Sequence, residues 1–409
     1  MKKYVLVGAG HRAFNMFAKS FKTELREIAR LAGIFDTNLV RAQAMSKACG
    51  NVDVYVDFDA MIREAKPDAV IVTTPDSLHH HYIIRALEAG CDAISEKPMT
   101  TDSEKCQAIL DAERRTGRQV IVTFNVRFLP HTARIKELIR EGSIGDILSI
   151  HLEWSLDQSH GADYFRRWHR NMKNSGGLLV HKSTHHFDLV NWWLADEPES
   201  VFAHGSTRFY GPTRQKRGDR CSTCDHKSSC EFYFDMRDGA MGHFYKEFYL
   251  EAEHVDGYFR DRCVFSDDID IYDTLSLTVR YMRGALLSYS LKAYSPYEGW
   301  KVTLTGTEGR IEADGFYSGP DHDARHQSIH VYNREGERTV IQIEKSSGSH
   351  GGSDALLRSM IFRTNVPDPL EQQAGSRAGA MSLLIGAAAN ISIKENRPVT
   401  IKELLGEFY

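Results

Sequence analysis

The chain has no apolar run long enough to cross a membrane, few cysteines for its length, and little excess of either charge. Its longest apolar stretch, residues 378–393, falls short of the roughly 20 residues a bilayer needs, and it carries Ser382 and Asn390. It reads as a buried helix. At the start, the apolar run 4–7 stops at Gly8, and charges follow at Arg12, Lys19 and Lys22. A secretory core needs roughly 7–15 apolar residues, so no export signal and a cytoplasmic location are expected. Seven cysteines in 409 residues do not make a disulfide framework. A formal charge of −4 argues against nucleic acid or an anionic membrane as the main partner. No internal repeat or low-complexity tract is present.

A chain of 409 residues exceeds one hydrophobic core, and two domains are the natural division. In residues 1–125, short apolar runs (4–7, 31–35, 69–72, 93–95 and 120–124) alternate with segments of helical period (13–29, 40–48, 80–89 and 103–116). Strands without polar alternation suit a sheet covered on both faces, and the intervening helices make it parallel. The expected class is α/β, with a doubly wound parallel sheet over 1–125. Residues 126–409 have another texture: a helix at 131–140, alternation at 147–154, and strand-like stretches at 275–281, 285–291, 301–305 and 339–343. Helices are expected at 354–362 and 375–394. This predicts an α+β domain with an open, mainly antiparallel sheet and a cysteine-containing insertion near 211–232.

Gly8-Ala9-Gly10-His11-Arg12-Ala13 follows the first strand and opens a helix. Gly8 permits the tight turn, Gly10 lets backbone approach a diphosphate at the helix N-terminus, and Ala13 lets helix pack closely on sheet. Asp36 closes the second strand, where a carboxylate accepts hydrogen bonds from ribose hydroxyls and repels a 2′-phosphate. This Rossmann fingerprint favours NAD over NADP, with Arg41 pointing the other way. The bland alternative is a turn beside a surface aspartate.

Three further segments carry a family likeness: Thr74-Pro75-Asp76-Ser77-Leu78-His79, Ser95-Glu96-Lys97-Pro98, and Gly176-Gly177-Leu178-Leu179-Val180-His181-Lys182-Ser183-Thr184-His185-His186-Phe187-Asp188. With them the chain resembles the glucose–fructose oxidoreductase/inositol dehydrogenase (Gfo/Idh/MocA) family over nearly its whole length. The resemblance implies a sugar, glycoside or polyol substrate and a homodimer or homotetramer. It places Gly8, Gly10, His11, Arg12, Asp36, Thr74, Pro75, His79, Glu96 and Lys97 at the dinucleotide. The family usually has aspartate where this chain has His181, so inositol or glucose specificity does not simply transfer.

Oxidation of a secondary alcohol needs a group to take the hydroxyl proton. Lys97 follows a strand and so sits at the carboxyl edge of the sheet, where ligands bind; its bland alternative is a salt bridge to Glu96. His185 is the expected acid/base. Asp188 three residues on and His181 four residues back would share its face on a continuous helix, with Asp188 orienting the imidazole and Lys182 nearby. His181 and His185 also have metal-pair spacing, but no third ligand is identifiable. Pro98 is a candidate cis proline. Upstream, Tyr164, Trp168 and Trp154 suit stacking on sugar faces, while Arg170, with Arg166 and Arg167, suits an anionic group; the alternative is a solvated interdomain surface.

Cys221-Ser222-Thr223-Cys224 with Cys230 has the spacing of half a zinc site, for which Cys263 is the first choice of fourth ligand and His226 the second. Such a metal would be a structural staple; reduced loop thiols are the plain alternative. Taken together the sequence predicts an NAD(P)-dependent dehydrogenase acting on a CH–OH group of a sugar-like substrate. A glycoside hydrolase or lyase using transient oxidation and elimination, and a non-catalytic sugar or dinucleotide sensor, are the alternatives.

Overall fold

The computed structural model describes residues 1–405 except 321, 324 and 347, with the side chains of 349 and 350 left aside. Six parallel strands come from the N-terminal region: β1 (Lys2–Val7), β2 (Ala29–Phe35), β3 (Val54–Tyr55), β4 (Ala69–Val72), β5 (Asp92–Ser95) and β6 (Val120–Val122). They lie in the order β6-β5-β4-β1-β2-β3. The unbroken apolar runs of β1 and β4 are buried as a doubly covered sheet requires. Strand order reverses between β1 and β4, and a crevice at such a switch point, outside the carboxyl ends, is where open α/β sheets bind ligands.

The second sheet holds β7 (Ile147–Asp157), β8 (Pro198–Ser206), β9 (Thr274–Tyr281), β10 (Leu286–Ser295), β11 (Gly299–Gly306), β12 (Gly309–Phe316), β13 (His326–Asn333) and β14 (Arg338–Glu344). Near the C-terminus, β15 (Ala374–Gly375) adds antiparallel to β6 of the first sheet, and β16 (Val399–Thr400) completes the second beside β8. The second sheet is antiparallel except where β7 meets β10. In β9, buried Leu275, Leu277, Val279 and Tyr281 alternate with exposed Ser276, Thr278 and Arg280, so one face is covered. The long helix Ser376–Glu395 packs on β8 from that side.

Where the structure departs from the sequence reading, the causes are local. The helix expected at 13–29 ends at Lys22 and contains a π-helical stretch, Ala13–Ala18. Its apolar period runs on through Phe21 and Leu25 in a turn, which periodicity cannot tell from a helix. The short helix Phe58–Ala65, capped by the Asp57 side chain on the Ala60 N–H, was not anticipated, nor were β8, β12 and β13. The insertion is also longer than residues 211–232, because everything from 207 to 273 lies between two neighbouring strands, β8 and β9. Among the described residues, no helix is long and apolar enough to cross a membrane.

Candidate active site

A cleft of about 1250 Å³ runs from the glycine turn to the second sheet. Single-ligand pockets measure roughly 300–1,000 Å³, so this one has room for two ligands side by side. At one end the backbone of Gly8 adopts φ +90°, and a Cβ there would lie 2.8 Å from the Thr73 carbonyl carbon and the Thr74 nitrogen. Only glycine makes that turn. One Asp36 oxygen accepts the Ala9 N–H (2.7 Å) and the other the Asn38 N–H (2.8 Å), which ties the tip of β2 to the turn. Burial raises the Asp36 pKa, against the pull of Arg41. Arg41 is itself engaged by Asp256 (3.0 Å), the Phe248 carbonyl (3.2 Å) and Asp36 (3.5 Å). An open glycine turn, a helix N-terminus and a carboxylate at the end of β2 fit a dinucleotide. Arg12 binds Glu96 (2.8 Å) and Asp354 (2.9 and 3.1 Å), which locks the start of the helix onto β5.

At the other end the Lys97 ammonium donates to the His181 carbonyl at 2.7 Å rather than pairing with Glu96. Burial lowers its pKa to about 8, with Asp76 opposing and Lys182 assisting. The Lys97–Pro98 peptide is cis. The ring of His79 bridges the carbonyls of Pro98 and Thr74 (2.8 and 2.9 Å), joining the loops after β4 and β5. His185 lines the cleft, edge-on to Phe124, and its Nδ1 is buried with no hydrogen-bond partner. Burial, then the charges of Lys97 and Lys182, hold its pKa well below the usual histidine value.

The continuous histidine helix is corrected by the structure. Gly177–His181 ends at Lys182, and a new helix, Thr184–Leu194, begins after Ser183. The break separates His181 from His185. Asp188 shares the helix of His185 but turns both oxygens to the Arg127 guanidinium at 2.7 and 2.6 Å, buried, and so does not orient that imidazole. His181 instead meets Asp76, Nδ1 to Oδ2 at 2.5 Å, with both groups buried. Burial pushes the Asp76 pKa well up and, with the charge of Lys97, the His181 pKa well down. That partnership also removes the His181–His185 metal pair. Asp76 was missed as a functional residue, although an acid one position past Thr74-Pro75, at the same sheet edge as Lys97, was the available signal.

Toward the second sheet, Trp154, Tyr164, Trp168 and Lys182 line the cleft, with the Lys182 ammonium 5.5 Å from the centre of the Trp154 ring. Tyr164 is held through His160 (3.0 Å), which binds Glu298 at 2.8 Å. The expected arginine cluster disperses. Arg170 is 1% exposed and bonds Asp268 (2.7 Å) and the Cys263 carbonyl (3.1 Å), away from the cleft. Arg166 is buried on the Phe232 carbonyl, and Arg167, which does line the cleft, pairs with Asp163 at 2.8 Å. Each buried guanidinium has taken partners within the fold, so the anion site read from the sequence is not assembled.

Cys221, Cys224, Cys230 and Cys263 are free thiols around one small cavity with Arg166, Phe232 and Phe265. Arg166 donates to the Cys221 sulfur at 3.1 Å. Among the described residues, no three His, Cys, Asp or Glu side chains converge as metal ligands, and the donor set does not fit the expected zinc staple. Packing of Tyr210, Phe232 and Phe265 holds this part of the insertion.

Residues 2–124 match the oxidoreductase-family NAD-binding Rossmann fold, and residues 136–401 match the C-terminal alpha/beta domain of the same family. The chain belongs to the Gfo/Idh/MocA oxidoreductase family and is an enzyme of that class. It is 39% identical over 424 residues, 99% of each chain, to YteT of Bacillus subtilis (strain 168), whose name assigns it no more than oxidoreductase. A D-glucoside 3-dehydrogenase of Escherichia coli (strain K12) is 32% identical over 145 residues, 36% of this chain and 41% of that one. Among solved structures, a levoglucosan dehydrogenase in complex with NADH and L-sorbose shares the fold with a TM-score of 0.72 at 18% identity, covering 99% of this chain and 100% of that one.

Proposed function

We propose that this enzyme is an NAD-dependent dehydrogenase acting on one CH–OH carbon of a sugar, glycoside or polyol. The carrying observation is that Lys97 and His185 line the same cleft as the glycine turn and Asp36. NAD, when bound, supplies the hydride acceptor. His185, kept neutral by burial and neighbouring cations, takes the hydroxyl proton on a ring nitrogen. The Lys97 ammonium holds the oxygen that loses it. The Asp76–His181 contact positions Lys97 through the His181 carbonyl. Trp154, Tyr164 and Trp168 offer ring faces to the substrate. The name of the glucoside dehydrogenase relative supports the substrate class.

The test is NADH formation by the purified protein across a panel of sugars, glycosides and polyols. Turnover is expected with at least one, and His185→Ala is expected to lose it while still binding NADH. A protein that binds NADH but reduces NAD with no member of the panel would overturn the reading.

Preference for NAD over NADP is supported by Arg41, whose guanidinium is already shared between Asp36 and Asp256. Carboxylates at the end of β2 disfavour a 2′-phosphate, and the Arg41 cation beside them is already engaged. The double variant Asp36→Ser/Asp256→Asn frees it. The ratio of kcat/KM for NAD to that for NADP is expected to fall by about tenfold or more, and an unchanged ratio would remove Arg41 from the argument.

A further inference from the structure

We propose that residues 242–260 form a clasp over the dinucleotide site, in which the Tyr249 hydroxyl holds the diphosphate and makes departure of the reduced cofactor the slow step of turnover. The inference rests on the cofactor reading above. Antiparallel neighbours such as β8 and β9 ordinarily need a connection of 2–5 residues, yet here residues 207–273 intervene. The extra chain does not stay beside the second sheet. It crosses to the first domain and settles on the glycine turn.

Four hydrogen bonds and a ring stack fasten it there. The His11 N–H, on the first turn after Gly10, donates to the Tyr249 hydroxyl at 3.1 Å. That N–H points where a diphosphate oxygen belongs at a helix N-terminus, so a hydroxyl already stands at the anion position. A hydroxyl both accepts and donates; when a phosphate oxygen takes the N–H, the Tyr249 O–H is free to donate to the same oxygen. The Asn38 amide donates to the Ala252 carbonyl at 2.9 Å, fully buried, and Arg41 binds both the Phe248 carbonyl and Asp256. Phe244 stacks on Phe14 of the first helix at 5.3 Å and on Phe248 at 4.2 Å.

Behind Tyr249 the setting is cationic. Arg260 is 3% exposed, lies 5.1 Å from the Tyr249 ring centre, and leaves Nε and Nη1 without hydrogen-bond partners. Its acid contact is Asp163 at 3.5 Å, which Arg167 shares at 2.8 Å. His11 registers this field: burial first, then Arg260 and Arg167, lower its pKa to about 4. A second wall carrying a hydroxyl and two guanidinium groups behind it suits an anion and is poorly used without one. Departure of the cofactor then requires the clasp to lift, breaking these hydrogen bonds and parting Phe244 and Phe248 from Phe14.

The experiment loads the full-length protein with NADH and chases it with excess NAD, following the loss of bound-NADH fluorescence. In the native protein the release rate is expected to equal turnover, the clasp making release the limiting step. Tyr249→Phe, which removes one oxygen atom, is expected to speed release about tenfold or more, as loss of a hydrogen bond to a charged group does. Phe244→Ala, which touches only the protein side, is expected to speed it as well. If NADH binds but leaves the native protein much faster than turnover, or if both variants release at the native rate, the clasp is overturned while the cofactor reading stands. Failure of NADH to bind at all overturns both.

Discussion

Replacing Lys97 with methionine is expected to lower kcat about a thousandfold while NADH still binds. The magnitude follows from the roughly 10²–10⁴-fold that a positioned proton-handling group contributes. Methionine fills similar space, so the loss measures the ammonium and not a cavity. The pH dependence sharpens the test. With its pKa lowered to about 8, Lys97 is charged at neutral pH and loses its proton just above it. Native kcat/KM is therefore expected to fall above about pH 8. On the acid side activity should persist until well below the ordinary histidine value, because His185 must bind a proton before it stops accepting one. The methionine variant should lose the alkaline limb and keep the acid one. A variant with the native alkaline limb would assign that limb to another group.

Asp188→Ala is expected to destabilise the fold by about 3–5 kcal/mol, since it leaves the Arg127 guanidinium buried without its carboxylate. Replacing both partners, Arg127→Met with Asp188→Leu, should recover most of the loss, because two apolar side chains avoid the desolvation cost of the pair. Denaturant midpoints of the three proteins measure this. Activity supplies a second readout that a purely structural role leaves unmoved. At temperatures where the Asp188 variant remains folded, its acid limb should match the native one. A shifted acid limb would mean that Asp188 acts on His185 after all.

What was legible in the sequence was what neighbouring residues encode. The glycine turn, Asp36 and Lys97 each sit within a few residues of a strand end, so strand pattern alone put them at one sheet edge. The histidine cluster was half legible. Helical spacing located His185, but not the break at Lys182–Ser183, and the Arg127 partner of Asp188 lies 61 residues away in the chain. Asp76 and His181 are 105 residues apart and meet only because β4 and the second domain face one cleft. The arginines misled for a related reason. A run of cations looks like an anion site until burial shows Arg166 and Arg170 turned onto carbonyl, thiol and carboxylate groups of the insertion. Nothing local encodes that choice. The clasp was invisible because its anchor, Tyr249, lies 238 residues from the N–H it meets.

One strand has a mechanical consequence. β15 hydrogen-bonds to β6 in the first sheet, and the helix Ser376–Glu395 that follows directly packs on β8 of the second. Gly379 of that helix lies so near the first sheet that a Cβ would stand 2.9 Å from Val122 and 3.2 Å from Met99. A single stretch of backbone is thus sewn into both walls of the cleft. Swinging the walls apart would tear strand pairing and unseat a close helix, so the two domains do not work as jaws on a hinge. The aperture has a set width, and the substrate proposed above would be sized by it on the way in, before it reached the cleft wall at Trp154 and His185.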